Sequence, residues 1–323
     1  MKTISPWLFA ILFAFLTIEI VLLYPRKVNF EDSPFREKVQ EEKDVQQAMK
    51  GVHLVEANKK EKEWELWAEE ALSLRSKQSW ELKGVKVRFF SPKGVEFLVR
   101  GQRGTVELRT KNMRIKGDVT VQSSNGYVFY TEEVEYISSY RLLKSLSPVQ
   151  LKDHLGKRRM FLRGQQMRTG LKEAITEIEG DIYASRLVEG KGEVKVKSDR
   201  VILRGNSREI QFLDNVVVDY TNMRISGASV KFIFSKKGEL KTLLISGGVR
   251  LTDKEKWAVA QKLSFTFSKD RLILSGNPKL IQGEDELIGD TIIFNRNGEQ
   301  VEVLKAKARV GKEKLKAQEE GGR

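Results

Sequence analysis

Short segments in which apolar and other residues alternate recur along the chain, each after a Gly, Asp, Asn or Pro. Alternation with a period of two residues is typical of a β-strand that buries one face. The segments begin at Val52, Val85, Val119, Val149, Ile182, Val216, Val249 and Pro278. Subtracting successive positions gives steps of 33, 34, 30, 33, 34, 33 and 29 residues. Steps this regular indicate a repeat protein in which neighbouring units share one core.

A second landmark follows each segment after 11 to 16 residues, and it is a small residue followed by further alternating apolar positions. The small residues are Ala68, Gly101, Thr131, Gly164, Ser198, Gly227, Ala260 and Gly289. Turn dipeptides such as Asn125-Gly126 and Lys237-Gly238 separate the strands. The pattern therefore predicts an all-β protein, an elongated open β-jelly-roll built from antiparallel repeats of about 33 residues.

The N-terminal segment is continuously apolar and shows no alternation. Residues 7–24 form a run of 18 residues with a single charge, bounded by Trp7 and Tyr24 at the positions of interfacial aromatic residues. A cleaved signal peptide is the alternative, but the run is long for one and no A-x-A site follows it. We therefore expect a transmembrane anchor over 1–25, followed by a helical or flexible spacer over 26–50.

The single charge in this run is Glu19. A carboxylate within a membrane span usually faces a partner helix or water, so Glu19 is a candidate contact for a partner transmembrane helix. The alternative is that it reaches the interface or is protonated. Positive charges flank the run on both sides, so charge counting does not decide its orientation.

Composition excludes several classes of function. The chain has 323 residues, 40% of them hydrophobic and 32% charged, with no cysteine and a net charge of +14. The charge favours anionic partners. Nucleic acid is not expected, because no groove-reading element accompanies the charge. The two histidines lie far apart and no phosphate-binding loop is present, so we expect no catalytic site, no metal, no cofactor and no enzymatic activity.

Two further sets of motifs carry a family resemblance. The first set is Gly51-Val52 and residues 64–74, 117–121, 146–149 and 161–164. With the anchor it resembles the LptC family, the membrane-anchored component of lipopolysaccharide export. The second set is Ser198-Asp199 and residues 214–216, 223–228, 274–277, 286–290 and 292–294. It is similar to the LptA/OstA family, so we expect an LptC-like domain over 51–175 and an LptA/OstA-like domain over 176–310.

The resemblance implies a role in lipopolysaccharide transport. It implies a single-pass inner-membrane anchor with the β domains in the periplasm. It also implies docking onto an ATP-driven inner-membrane export complex of the LptBFG type, and end-to-end pairing with other LptA/OstA-like β domains. The alternative is an envelope scaffold that binds proteins through its strand edges, with a sealed core and no lipid.

The alternation nominates inward-facing positions, which are candidate lipid contacts as a set, although each one could equally be sealed core. They are Val87, Phe89, Val106, Leu108, Val119, Val121, Phe129, Tyr136, Val201, Leu203, Val216, Val218, Val230, Phe232, Phe234, Leu263, Phe265 and Phe267.

The last strand signal runs over 301–310 and is a candidate edge for pairing with another chain. Its apolar face would present Leu304, Ala306, Ala308 and Val310, with lysine and arginine on the other face. Lysine on an edge also prevents aggregation, which is the alternative reading. We expect the tail over 311–323 to be disordered.

Overall fold

Long antiparallel strands joined by tight turns make up the part of the chain that the computed structural model describes. That part is residues 45–58, 61–74, 78–153, 160–205, 207–254, 256–295, 300–305 and 307–309. Within it, 22 strands belong to one sheet. The first twelve are β1 (Val45–Asn58), β2 (Glu61–Leu74), β3 (Ser79–Phe90), β4 (Glu96–Glu107), β5 (Met113–Ser123), β6 (Tyr127–Ile137), β7 (Leu142–Ser145), β8 (Val149–Asp153), β9 (Met160–Gly164), β10 (Gln166–Gly170), β11 (Ile175–Val188) and β12 (Gly192–Arg204). The remaining ten are β13 (Glu209–Tyr220), β14 (Met223–Phe234), β15 (Leu240–Asp253), β16 (Lys256–Thr266), β17 (Arg271–Ser275), β18 (Lys279–Gln282), β19 (Asp285–Ile288), β20 (Thr291–Asn295), β21 (Gln300–Leu304) and β22 (Lys307–Arg309).

A 3₁₀ turn, Ser138–Tyr140, joins β6 to β7. The strand pairs are antiparallel, so the predicted all-β antiparallel fold is confirmed.

Most long strands bend once near their middle, where the pairing register shifts. In β5 the bend falls at Gly117 and Asp118, and in β13 at Asp214 and Asn215, all four with positive φ. Glycine, aspartate and asparagine tolerate that conformation, and a bulge bends the strand that contains it. The bends align across neighbouring strands into one crease, so the sheet folds back on itself.

The crease divides the sheet into two halves. Half-sheet A contains residues 85–90 of β3 and every strand segment that is joined to them, directly or through neighbouring strands, by backbone pairing. Half-sheet B contains residues 79–83 of β3 and the segments joined to those in the same way. Shorter strands belong to one half only, as β7 does to B and β8 to A.

The crease explains both landmarks of the sequence repeat. Each alternating segment begins just after a bend, and its first residue lies opposite the small residue of the second landmark. The pairs are Val85 with Gly101, Val119 with Thr131, Val149 with Gly164, Ile182 with Ser198, Val216 with Gly227 and Val249 with Ala260. Each repeat of about 33 residues is therefore a pair of antiparallel strands, and each of the two strands crosses the crease once.

The hydrophobic core lies between the half-sheets and forms one cluster that extends from Val52 to Ile292. Strand β11 pairs with β9 and β10 on one side and with β12 on the other, so the sheet continues across residues 170–195. The predicted division into two β domains near residue 175 stays a prediction.

Several predictions concern segments outside the described residues. These are the anchor over 1–25 with Glu19, most of the spacer, and the tail over 311–323. The last six residues of the predicted spacer, 45–50, belong to β1 instead, because that strand pairs with β2. Within the described ranges, no helix is long and apolar enough to cross a bilayer.

Candidate functional site

Two rows of apolar side chains face each other inside the folded sheet. In half-sheet A, cross-strand neighbours follow one another without a polar residue, and they are Val87, Val99, Val121, Phe129, Leu151, Leu162, Ala184, Val196, Val218, Ile225, Leu251 and Ala258. In half-sheet B the corresponding row is Ile178, Val201, Phe212, Val230, Ile245, Leu263, Leu274 and Ile292. Because neighbouring strands lie about 4.8 Å apart, the rows form a long, continuous apolar strip.

Most of the predicted inward positions lie in this interior and are buried. They are Val87, Phe89, Val106, Val119, Val121, Phe129, Tyr136, Val201, Leu203, Val216, Val218, Val230, Phe232, Leu263, Phe265 and Phe267. Phe234 is half-buried at the end of β14. Whether this set contacts lipid stays a prediction.

The inward placement of Leu108 is wrong, since this side chain is 47% exposed. Strand β4 ends at Glu107, and Leu108 begins the turn to β5, where its amide donates to the carbonyl of Gln78. The alternation in the sequence continues past the point where the strand ends.

Sequence reasoning also missed interior residues that the same alternation marks. Leu151, Leu162, Ile178 and Ile245 are all buried in the two rows. The alternation of β8, β9, β11 and β15 was sufficient to place them, and the cross-strand register shows that they face the interior.

In this conformation the interior is closed. The rings of Phe89 in half-sheet A and Tyr136 in half-sheet B lie 4.6 Å apart, and Tyr220 contacts Phe265 at 5.8 Å and Phe267 at 5.5 Å in the same way. A cavity of about 30 Å³ remains beside Phe212 and Phe232. A benzene molecule needs a cavity of about 150 Å³, so an acyl chain requires the half-sheets to separate.

Tyr136 is the largest of the fully buried side chains. Burial raises the pKa of its hydroxyl above its usual range.

Polar links cross the margin opposite the crease, which we call the mouth. Turns 124–126 and 189–191 of half-sheet A meet turns of half-sheet B there, and within the described residues no strand pairing joins the halves at this margin. The side chains of Asn125, Arg141 and Arg186 donate to backbone carbonyls across the mouth, at Gly205 (3.2 Å), Phe90 (2.5 Å) and Gly238 (2.6 Å) respectively.

Lys191 makes two further links across the mouth. Its ammonium donates to the carbonyl of Phe267 and to the carboxylate of Asp270, each at 2.7 Å. The mouth is therefore held closed by hydrogen bonds from side chains to backbone carbonyls and by this ion pair. Among the described residues, it is not held by a ladder of backbone hydrogen bonds between strands. Such links can break without unfolding the sheet.

The predicted C-terminal edge strand is divided. Lys305 has a φ of 53°, and there the chain passes from β21, which pairs with β20, to β22, which pairs with β19. Leu304 is 48% exposed at this bend, and Ala308 lies opposite Leu287. Ala306, Val310 and the facing of Ala308 lie outside what the structure describes. The segment therefore crosses the crease at Lys305, and whether the four predicted side chains share one face stays a prediction.

Comparisons with known proteins match the two parts of the chain to two families. Residues 9–185 match the family described as lipopolysaccharide-assembly, LptC-related. Residues 195–318 match the family described as LptA/(LptD N-terminal domain) LPS transport protein. Among solved structures, LptH of Pseudomonas aeruginosa, the LptA-homologous periplasmic component of its lipopolysaccharide transport device, has 15% identity and a TM-score of 0.34. That match covers 36% of this chain and 94% of LptH. No curated protein matches the sequence.

Proposed function

This chain belongs to the lipopolysaccharide-assembly, LptC-related family, and on that premise we propose how it handles lipid. Both matched families are components of lipopolysaccharide assembly and transport. The chain is accordingly a lipopolysaccharide transport component whose β structure lies in the periplasm. Its role is transport, and the energy for movement comes from a partner.

The proposed route starts at the inner membrane. The apolar run over 7–24 anchors the chain there, with Glu19 contacting a transmembrane helix of an ATP-driven export complex of the LptBFG type. Lipopolysaccharide passes from that complex to the β structure. The order of the two family regions, LptC-related first and LptA-like second, supports movement away from the membrane.

Acyl chains travel in the interior between the half-sheets. The observation that carries this proposal is the apolar strip, which runs without a polar interruption from Val87 through Ala258 across both family regions. Acyl chains need apolar area and few specific contacts, and such a strip supplies that area in a form that a lipid can slide along. Loading requires the mouth to open, and the polar links at the mouth permit it.

The test is photo-crosslinking in cells, with a photoreactive residue at Val121, Phe232 or Phe265. These side chains are at most 5% exposed and lie in both family regions. The control position is Lys231, the neighbour of Phe232 on the outward face, where its ammonium lies 3.2 Å from Glu209. We expect lipopolysaccharide adducts at the three inward positions and none at Lys231. Expressed, folded protein that gives no lipid adduct at any inward position contradicts the proposal.

A second candidate is the envelope scaffold with a sealed core. The closed interior, with its 30 Å³ cavity, is the observation in its favour. In that case the inward positions give only protein adducts or none.

The strand edges serve as couplers in either case. Strand β21 pairs with β20 on one side, and within the described residues its other side has no strand partner. Val301 and Leu304 are exposed there. An open edge is a template for a strand of another β domain, so we assign this end to pairing with a further LptA/OstA-like domain.

A further inference from the structure

A row of outward-facing residues crosses half-sheet A one position beyond the crease. Successive register pairs link its members, which are Tyr130, Gln150, Arg163, Tyr183 and Lys197. The row lies on the opposite side of half-sheet A from the lipid interior. It is therefore separate from the proposed lipid path.

The row runs through a cleft of about 680 Å³ on the outer surface, which we call the outer cleft. Gln150, Arg163, Tyr183 and Lys197 form its floor. Polar residues of the crease form its wall, and they are Gln165, Asp181, Asp199 and Asn215. The outer cleft therefore presents amides, carboxylates, two cations and one aromatic ring to the same volume.

The row from Tyr130 to Lys197 contains two cations and no carboxylate. Neither Arg163 nor Lys197 forms an ion pair within the described residues, and the guanidinium of Arg163 instead lies 5.5 Å from the centre of the Tyr183 ring. Elsewhere on the outer surface cations do form ion pairs, as Lys83 does with Glu70 at 2.8 Å and Arg224 with Asp219 at 2.7 Å. Positive charge on the row is thus available to an anionic ligand.

The row continues toward the N-terminus with the same chemistry. Beyond Tyr130 it passes through Thr120, Arg100 and Lys86 to Trp67. The ammonium of Lys86 lies 5.0 Å from the centre of the Trp67 ring, which repeats the cation–aromatic pair of the outer cleft. Neighbouring strands twist by about 20–25°, so a flat bilayer contacts only a few strands of such a row, whereas a flexible chain can follow it.

We propose that the outer cleft binds an anionic saccharide. Arg163 and Lys197 pair with its phosphate or carboxylate groups, and a sugar ring packs on Tyr183. The amides of Gln150, Gln165 and Asn215 and the carboxylate of Asp181 exchange hydrogen bonds with hydroxyl groups. The Asp199 carboxylate accepts from Asn215 Nδ2 at 2.6 Å, which orients that amide. Such a ligand can come from the headgroup of a glycolipid or from a cell-wall glycan.

The test is calorimetric titration of the full chain in detergent with three oligosaccharides. The first is a phosphorylated oligosaccharide prepared by complete deacylation of lipopolysaccharide, the second is the same material after phosphatase treatment, and the third is a soluble peptidoglycan fragment with free carboxylates. We expect the phosphorylated or the carboxylated ligand to bind, with an affinity that falls as the salt concentration rises. If phosphate supplies the charge that is recognised, the dephosphorylated oligosaccharide should bind at least about tenfold more weakly than the phosphorylated one. The anionic ligand that binds more tightly identifies the source.

A matched pair of variants locates the site. Arg163→Gln combined with Lys197→Gln should weaken binding by about tenfold or more, and Arg163→Lys with Lys197→Arg should retain it. Arg103→Gln combined with Lys262→Gln removes the same charge from exposed positions on half-sheet B and should change affinity less than about twofold.

Two results overturn the proposal. One is the absence of binding to every oligosaccharide by the wild-type chain. The other is equal weakening by the two double variants, which would show a general effect of net charge. Neither result depends on lipid adducts in the interior, so failure of the outer cleft is distinguishable from failure of lipid transport.

Discussion

At the residue scale, the crease needs two kinds of residue. One strand of each pair needs a backbone with positive φ, as at Gly117 and Gly180. The strand opposite carries a small residue, which is glycine where the half-sheets approach each other most closely. A Cβ on Gly164 would lie 2.5 Å from Ile178 Cγ2, and one on Gly227 would lie 2.6 Å from Ile245 Cγ2. Both contacts are far shorter than a normal packing distance.

Gly164→Ala should therefore destabilise the fold, by about 1–3 kcal/mol, because the new methyl group overpacks a buried site. Urea unfolding measures this free energy. Gly170→Ala is the control, since its Cβ would meet the end of the Glu173 side chain at 3.0 Å and the carbonyl oxygen of Ile175 at 4.0 Å. It should stay within about 0.5 kcal/mol of wild type. Equal stability of the two variants would contradict the tight crease.

At the element scale, the turns decide whether the interior is open. The strands of each half-sheet are held by continuous backbone ladders, whereas the mouth is held by links such as Lys191 to Asp270 and Arg186 to Gly238. Solvent-accessible links of this kind, whether an ion pair or a single hydrogen bond to a carbonyl, each contribute about 1 kcal/mol. The mouth should thus open at lower cost than a strand ladder, and we expect lipid loading there.

Locking the mouth should block loading. The chain contains no cysteine, so Lys191→Cys with Asp270→Cys places a unique pair across the mouth for a reducible thiol cross-linker. Cross-linked protein should lose at least about tenfold in lipopolysaccharide adducts at a photoreactive Phe265, since the apolar rows can no longer separate, and reduction should restore them.

The control for this lock joins Ser264→Cys to Ile273→Cys, which are paired neighbours within half-sheet B. That cross-link leaves the mouth free and should not affect adduct formation. Loading that continues through a locked mouth would mean that lipid enters from the ends of the sheet instead.

At the scale of the whole molecule, one sheet and one core run through both family regions. Strand β11 carries the connection, since it forms ladders with β9, β10 and β12, and Ile178 on it is fully buried. Neighbouring repeats stabilise one another through such interfaces, so the two regions are expected to unfold together.

Calorimetry of the full chain should therefore show a single transition. Val99→Ala in the first region and Val230→Ala in the second each remove packing from a fully buried site and should cost about 2–4 kcal/mol. Both should lower the same midpoint by about 4 °C or more. Two transitions, each shifted by only one substitution, would show that the regions fold independently.

Much of this architecture follows from short-range patterns in the sequence. Alternation, positive-φ residues and small residues each act within a few positions, so the sequence alone determined the all-β repeat, its step of about 33 residues and most inward positions, such as Val87 and Phe232. It failed at Leu108, where the strand ends although the alternation continues, and it did not mark the bend at Lys305.

Only the tertiary structure decided that the interior is closed and that the outer cleft exists. Asn125 meets Gly205 across 80 positions of sequence, and Lys191 meets Asp270 across 79. Likewise, Arg163 reaches Tyr183 only because β9 pairs with β11. The physical reason is that periodicity fixes which face a side chain takes, whereas register and folding of the sheet along the crease fix which distant side chains meet on that face.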